Sequence, residues 1–92
     1  MKFEKMGKLL SRMRGGELVF STGAYTDEGH LIWESDIIEN RNGARFEIKW
    51  NPFVCGFSAV REGHYLDIFE LEKKSGPVKV VGNSYENPDL LK

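Results

Sequence analysis

The sequence predicts a mainly β protein, a small antiparallel barrel or roll of SH3-like size, with an N-terminal helix and a short C-terminal helical turn. Three observations carry this. Residues 44–50, ARFEIKW, alternate strictly: Ala44, Phe46, Ile48 and Trp50 point one way, and Arg45, Glu47 and Lys49 the other. Turn-forming clusters recur about every eight to twelve residues, the spacing of short strands in an all-β fold. A chain of 92 residues makes one domain, and a domain that small buries only about two-thirds of the surface its unfolded chain exposes.

The elements follow in order. Phe3, Met6, Leu9, Leu10 and Met13 recur at intervals of three and four, which predicts an amphipathic helix over residues 1–14, with an extended first strand as the competitor. Gly15 and Gly16 would end that helix. Glu17–Thr22 is rich in β-formers, and Gly23 and a Thr-Asp-Glu-Gly turn at 26–29 follow it. Leu31–Trp33 and Asp36–Glu39 resume extended structure. Asn40-Arg41-Asn42-Gly43 is a hairpin turn, since asparagine and glycine tolerate positive φ. Asn51-Pro52 breaks the alternating strand, because proline donates nothing to a ladder. FVCGFSAV reads as the next strand, with Gly56 a bulge or close-approach point, and Arg61–His64 turns the chain again. YLDIFELEKK fits either period and is assigned to strand; Val78–Val81 is the last strand. At the end, Asn87 can cap free N–H groups, Pro88 suits a first helical position, and Asp89 suits the positive end of the dipole. Tyr85, Leu90 and Leu91 can pack that turn back onto the barrel.

A net charge of -1 hides an asymmetry. Residues 1–14 carry Lys2, Lys5, Lys8, Arg12 and Arg14 against Glu4, whereas the remainder holds eight basic and thirteen acidic groups. The chain therefore divides into a basic amphipathic segment, residues 1–16, and a β domain, residues 17–92. A single cysteine, Cys55, forms no internal disulfide, and no apolar run approaches the roughly 18–20 residues that span a bilayer. A reducing cytoplasm, that of a bacterial host, is the expected compartment.

The residues that could carry chemistry have simpler roles. A nucleophilic Cys55 would need His30 or His64 beside it, yet Cys55 lies between Val54 and Gly56 in an apolar run and is expected to be a buried core residue. One cysteine and two histidines fall short of a zinc ligand set, and both histidines sit beside turns. Asp27, Glu28, Glu34 and Asp36 could pair for acid–base work, but Asp27 reads as a turn former and Asp36 as the acceptor of a neighbouring loop N–H. Residues 73–77, KKSGP, lack the frame of a phosphate-binding loop. No enzyme, cofactor, metal or small-molecule substrate is expected.

Two stretches carry a resemblance. VGNSYENPDLL, from Val81 through Leu91, matches the form [I/V]-G-N-x-Y-E-N-P-[E/D]-L-L, with Gly82, Asn83, Tyr85, Glu86, Asn87, Pro88, Leu90 and Leu91 in place. FSTGAYTDEGHLIWESDII is similar to Y-T-G-x-x-D-x-x-G-x-x-I-Y-E-G-D-I-V through Thr22, Gly23, Asp27, Gly29, Glu34, Asp36 and Ile37, with one residue inserted after Gly23. Trp33 replaces a tyrosine and Ser35 a glycine. In these motifs the chain resembles the YopX family of small phage and prophage proteins, over about residues 18–91. The resemblance implies a β-rich protein encoded by phages, prophages or other mobile elements, with no established activity. If the family glycine occupies a positive-φ turn, Ser35 pays on the order of 1 kcal/mol there.

The expected role is binding of a macromolecule. A protein partner or self-association comes first, through the Met-rich apolar side of the N-terminal segment with Met6 and Leu10. Nucleic acid comes second, through Lys2, Lys5, Lys8, Arg12 and Arg14. A small hydrolytic enzyme comes last, and no membrane contact is expected.

Overall fold

Two antiparallel sheets form the protein in a computed structural model that describes residues 2–3 and 10–92. The first contains β1 (Lys2–Phe3), β2 (Ser11–Arg14), β3 (Glu17–Tyr25) and β4 (Leu31–Trp33). The second contains β5 (Asp36–Glu39), β6 (Arg45–Asn51), β7 (Gly56–Arg61), β8 (His64–Leu66) and β9 (Lys79–Asn83), in the spatial order β8-β7-β6-β5-β9. One helix, α1 (Ile68–Ser75), and a 3-10 turn, Pro88–Leu91, complete the elements of the described residues. The mainly β class and the C-terminal helical turn hold. The sheets pack on one another and do not close into a barrel.

The helix expected over residues 1–14 is absent at the described positions, where Lys2–Phe3 and Ser11–Arg14 are strands; residues 4–9 lie outside the described residues. Gly15 and Gly16, expected to stop a helix, make a two-residue hairpin turn with φ 53° and 80°. Two successive positive φ values are what the tightest hairpin turn requires, and Arg14 consequently faces Glu17 across the β2–β3 ladder. The 40–43 turn forms as expected: the Asn40 side chain accepts from the N–H groups of Asn42 and Ala44 at 3.0 and 2.9 Å.

The Thr-Gly pair of the first motif builds a bulge. Ser21 pairs with Trp33 and Tyr25 with Leu31, so three residues of β3 stand against Ile32 alone. Gly23 adopts φ 80°, and Thr22 Oγ1 donates to the Ile32 carbonyl at 2.8 Å while accepting from Ala24 N–H at 3.1 Å. The turn that follows is held by Thr26, whose Oγ1 accepts from His30 N–H at 3.1 Å. Ser35 does occupy a positive-φ turn, at 74°. Its N–H donates to the Ile48 carbonyl, and its carbonyl accepts from Ser84 N–H, so the strained residue ties three strands together.

The assignment of 65–74 to strand is wrong beyond Leu66, since Ile68–Ser75 is a helix. Asp67 Oδ1 accepts from the N–H groups of Phe69 and Glu70 at 2.8 and 3.0 Å, and Gly76 closes the other end with φ 81°. Ile68 and Leu71, one turn apart, bury against the core of Ala24, Ile32, Ile38, Phe46, Ile48 and Ala59. None of the helices among the described residues is long and apolar enough to cross a membrane.

The ending is ordered by paired asparagines. Asn83 Oδ1 accepts from the N–H groups of Tyr85 and Glu86, both at 3.0 Å, while Asn87 N–H donates to the Asn83 carbonyl at 2.8 Å. Asn87 does not cap the 3-10 turn, as the sequence suggests; its Oδ1 accepts instead from Asn83 N–H at 3.3 Å. A Cβ on Gly82 would stand 2.6 Å from that same Oδ1, so glycine is required by close approach. Tyr85 lies against Gly15, and the terminal motif thereby braces the β2–β3 hairpin.

Candidate functional site

Packing is tight at one end of the sheet pair and open at the other. On β6, alternation sends Phe46, Ile48 and Trp50 to one face, and the first two are buried. Trp50 is 49% exposed. It stands opposite Phe57 of β7, ring centroids 5.3 Å apart at 78°, the edge-to-face arrangement aromatic pairs favour. Leu18 and Phe20 of β3 form the facing wall, and Leu18 is 54% exposed. These four residues and Glu34 line a hollow of about 440 Å³. Two adjoining hollows, of about 360 and 350 Å³, also share Trp50. Together they surround Trp50 as a cleft, apolar where Leu18, Phe20, Trp50 and Phe57 meet and charged on one side, where Glu17, Glu34, Glu47 and Lys49 stand.

At the end of the cleft stands the 52–55 turn. Phe53–Cys55 was expected to be strand, yet β7 begins only at Gly56. Asn51, itself buried, accepts Phe53 N–H on its side-chain oxygen at 3.0 Å and Val54 N–H on its carbonyl at 3.3 Å, and donates to Ser58 Oγ at 3.2 Å. Pro52 supplies the fixed φ suited to such a turn. Phe53 is left 96% exposed. Cys55, expected in the core, is exposed with φ 49°, because the turn rather than a strand occupies this stretch.

The nominated basic residues are placed as follows. Arg14 turns inward: its Nη1 lies 2.7 Å from Asp36 Oδ1, 3.0 Å from Ser35 Oγ and 3.1 Å from the Glu34 carbonyl. The two side chains are 10% and 3% exposed. Asp36 also accepts Trp33 N–H at 2.7 Å, the loop contact the sequence suggests. Burial outweighs this bond and the Arg14 charge, and pushes the Asp36 carboxyl above its ordinary value. Arg12 stacks on the Trp33 ring, 4.6 Å from the centroid. Lys2 falls in β1, Leu10 is exposed before β2, and Lys5, Met6 and Lys8 lie outside the described residues.

The motif residues serve architecture: Thr22 and Gly23 the bulge, Gly29 its turn at φ 89°, Glu34 an acceptor for Phe20 N–H, and Asp36 the buried pair. His30 and His64 are exposed and apart from the cleft lining. Among the described residues no group of three or more His, Cys, Asp or Glu side chains is arranged to hold a metal. A smaller hollow of about 190 Å³ lined by Arg45, Arg61 and Lys92 is charged, but Arg45 is engaged by Glu39 at 3.0 Å.

Sequence reasoning missed the cleft residues, Leu18, Phe20, Trp50 and Phe57, and the exposed Phe53 beside them. Alternation assigns Trp50 to the dry face, and nothing local records that half of it is left uncovered. Compared with known proteins, the chain matches the family model for YopX, described as YopX protein, over residues 3–92, so the match reaches beyond the stretch 18–91 in which the sequence resemblance was read. No curated protein matches it.

Proposed function

The chain belongs to the YopX family, and from that premise we propose that it is a phage- or prophage-encoded accessory protein acting without catalysis, as a module that docks a protein partner. The observation that carries this is the Trp50–Phe57 pair, held half open in a cleft that continues the core. Aromatic side chains at the centre of a concave apolar surface are the usual anchors of protein interfaces. The partner inserts a bulky apolar side chain between β3 and the β6–β7 pair.

Selection of displayed random peptides against the full chain and a Trp50→Ala variant tests this. Peptides carrying a large apolar residue should enrich on the wild type alone, bind with little dependence on salt, and shift the emission of Trp50. Failure to enrich any peptide that requires Trp50 sinks the docking role. Nucleic-acid binding is the other outcome. Arg14 is committed to Asp36 and Arg12 to Trp33, which leaves Lys2, Lys5 and Lys8 as its candidates. Salt-sensitive binding lost when those three become glutamate would replace the docking role with that one.

A further inference from the structure

We propose that the occupant of the cleft is a second copy of this chain, which inserts Phe53 beside Trp50 while receiving the partner's Phe53 in the same way. The inference rests on the docking role proposed above. Its starting point is Phe53, almost fully exposed on a turn whose backbone is fixed by Pro52 and by two hydrogen bonds that Asn51 accepts, from Phe53 N–H and Val54 N–H. A flexible loop would fold such a ring away; this one holds it out, and a pre-ordered anchor loses little entropy on binding.

Tip and cleft are also matched. The tip, Asn51 through Gly56, carries no charged residue, so its burial desolvates no ion. The cleft is lined by Leu18, Phe20, Trp50 and Phe57 and measures about 440 Å³, ample for one aromatic ring. Phe53 lies three residues beyond Trp50, in the turn that adjoins the hollow lined by Trp50, Cys55 and Gly56, so projecting ring and hollow are neighbours on one surface, as a reciprocal two-fold contact needs. An isologous contact of this kind closes on itself and leaves no unsatisfied cleft. A stable interface needs about 800 Å² from each partner, a modest share of a total surface of 6005 Å². Met13, opposite Leu18 on β2, and Val54, beside Phe53, are further exposed apolar side chains at this end of the molecule.

Sedimentation velocity of the full chain over a concentration series tests the inference, with Phe53→Ser and Trp50→Ala variants beside it. The wild type should dimerise reversibly, and each variant should associate at least about tenfold more weakly, as loss of an interface anchor does. An equimolar mixture of the two variants should associate more strongly than either alone, since only the mixed dimer joins an intact tip to an intact cleft. Phe53 makes little contact within its own chain, so unfolding does not explain a loss; unchanged circular dichroism melts verify this, and Val54→Ser gives a second probe of the tip. A chain that stays monomeric, a dimer indifferent to Phe53→Ser, or a mixture no stronger than its components overturns the inference. Binding of the monomer to zwitterionic or anionic vesicles, lost in Phe53→Ser, would assign the tip to lipid instead. A monomeric chain that still selects Trp50-dependent peptides leaves the docking role standing with another partner; loss of both results removes both.

Discussion

Arg14 and Asp36 join the β2–β3 hairpin to β5, and separating them is the sharpest test of how the two sheets are held together. A buried ion pair contributes little net stability, because desolvation offsets most of its attraction, whereas removing one partner leaves the other charged and unpaired. With side chains 10% and 3% exposed, this pair falls in that class. Asp36→Asn keeps an acceptor for Trp33 N–H but withdraws the charge facing Arg14. The expected cost is about 3 kcal/mol or more, which in a domain of this size lowers Tm by roughly 12 °C or more. Arg14→Met should cost a similar amount by stranding Asp36. The double variant Arg14→Met/Asp36→Asn should cost less than the sum, with a coupling of at least about 1 kcal/mol. Urea and thermal melts followed by circular dichroism measure all four chains. Single variants each costing below about 1 kcal/mol, or a double equal to the sum, would refute the reasoning.

The same pair sets a pH signature. The native chain holds the Asp36 proton more tightly than the unfolded chain, so this group's contribution falls as pH rises from its ordinary value of 3.8 through its raised native value. Asp36→Asn should abolish that decline, and an unchanged pH profile would count against a raised carboxyl. Glu39 runs the other way. The Arg45 hydrogen bond, with Lys79 adding to it, lowers the Glu39 pKa, and its contribution is lost as pH falls below the ordinary value of 4.5.

Three further outcomes are expected. Gly82→Ala drives a Cβ to 2.6 Å from Asn87 Oδ1, and should destabilise the protein by about 1–3 kcal/mol as overpacking does; a melt identical to wild type would mean the terminal turn is not packed as described. Asp67→Ala removes the acceptor for two N–H groups of α1 and should cost about 0.5–2 kcal/mol, whereas an unaffected melt would show that the cap contributes nothing. Cys55 is exposed, so a thiol reagent should label the native chain at nearly the rate of the denatured chain, and native protection would contradict the 52–55 turn.

Local chemistry was legible wherever an element is defined by neighbours in sequence. The 44–50 alternation, the Asn-Arg-Asn-Gly hairpin and the Asp36 acceptor role are all written in a few adjacent residues, whereas the positive φ at Ser35 was suggested only by the family resemblance. The helix was misread as strand: Asp67, Glu70 and Gly76 mark its ends, but the three apolar residues among them, Ile68, Phe69 and Leu71, fit either period. Gly15-Gly16 shows the opposite difficulty. Two glycines end a helix or turn a hairpin equally well, and the partner strand β3 decided which.

What the sequence determined by itself is therefore a β protein of the YopX type, the alternating 44–50 strand and the 26–29 and 40–43 turns, because each rests on short-range sterics and hydrogen bonding. Tertiary structure alone decided the rest. Arg14 became an interior cation and not a surface one because Asp36 lies opposite it across the sheets. Trp50 became a cleft residue and not a core residue because Leu18 and Phe20 of β3 stand across a hollow from it and leave half of it open. Whether a side chain is covered depends on where a distant strand stands, and no local pattern of residues encodes that distance.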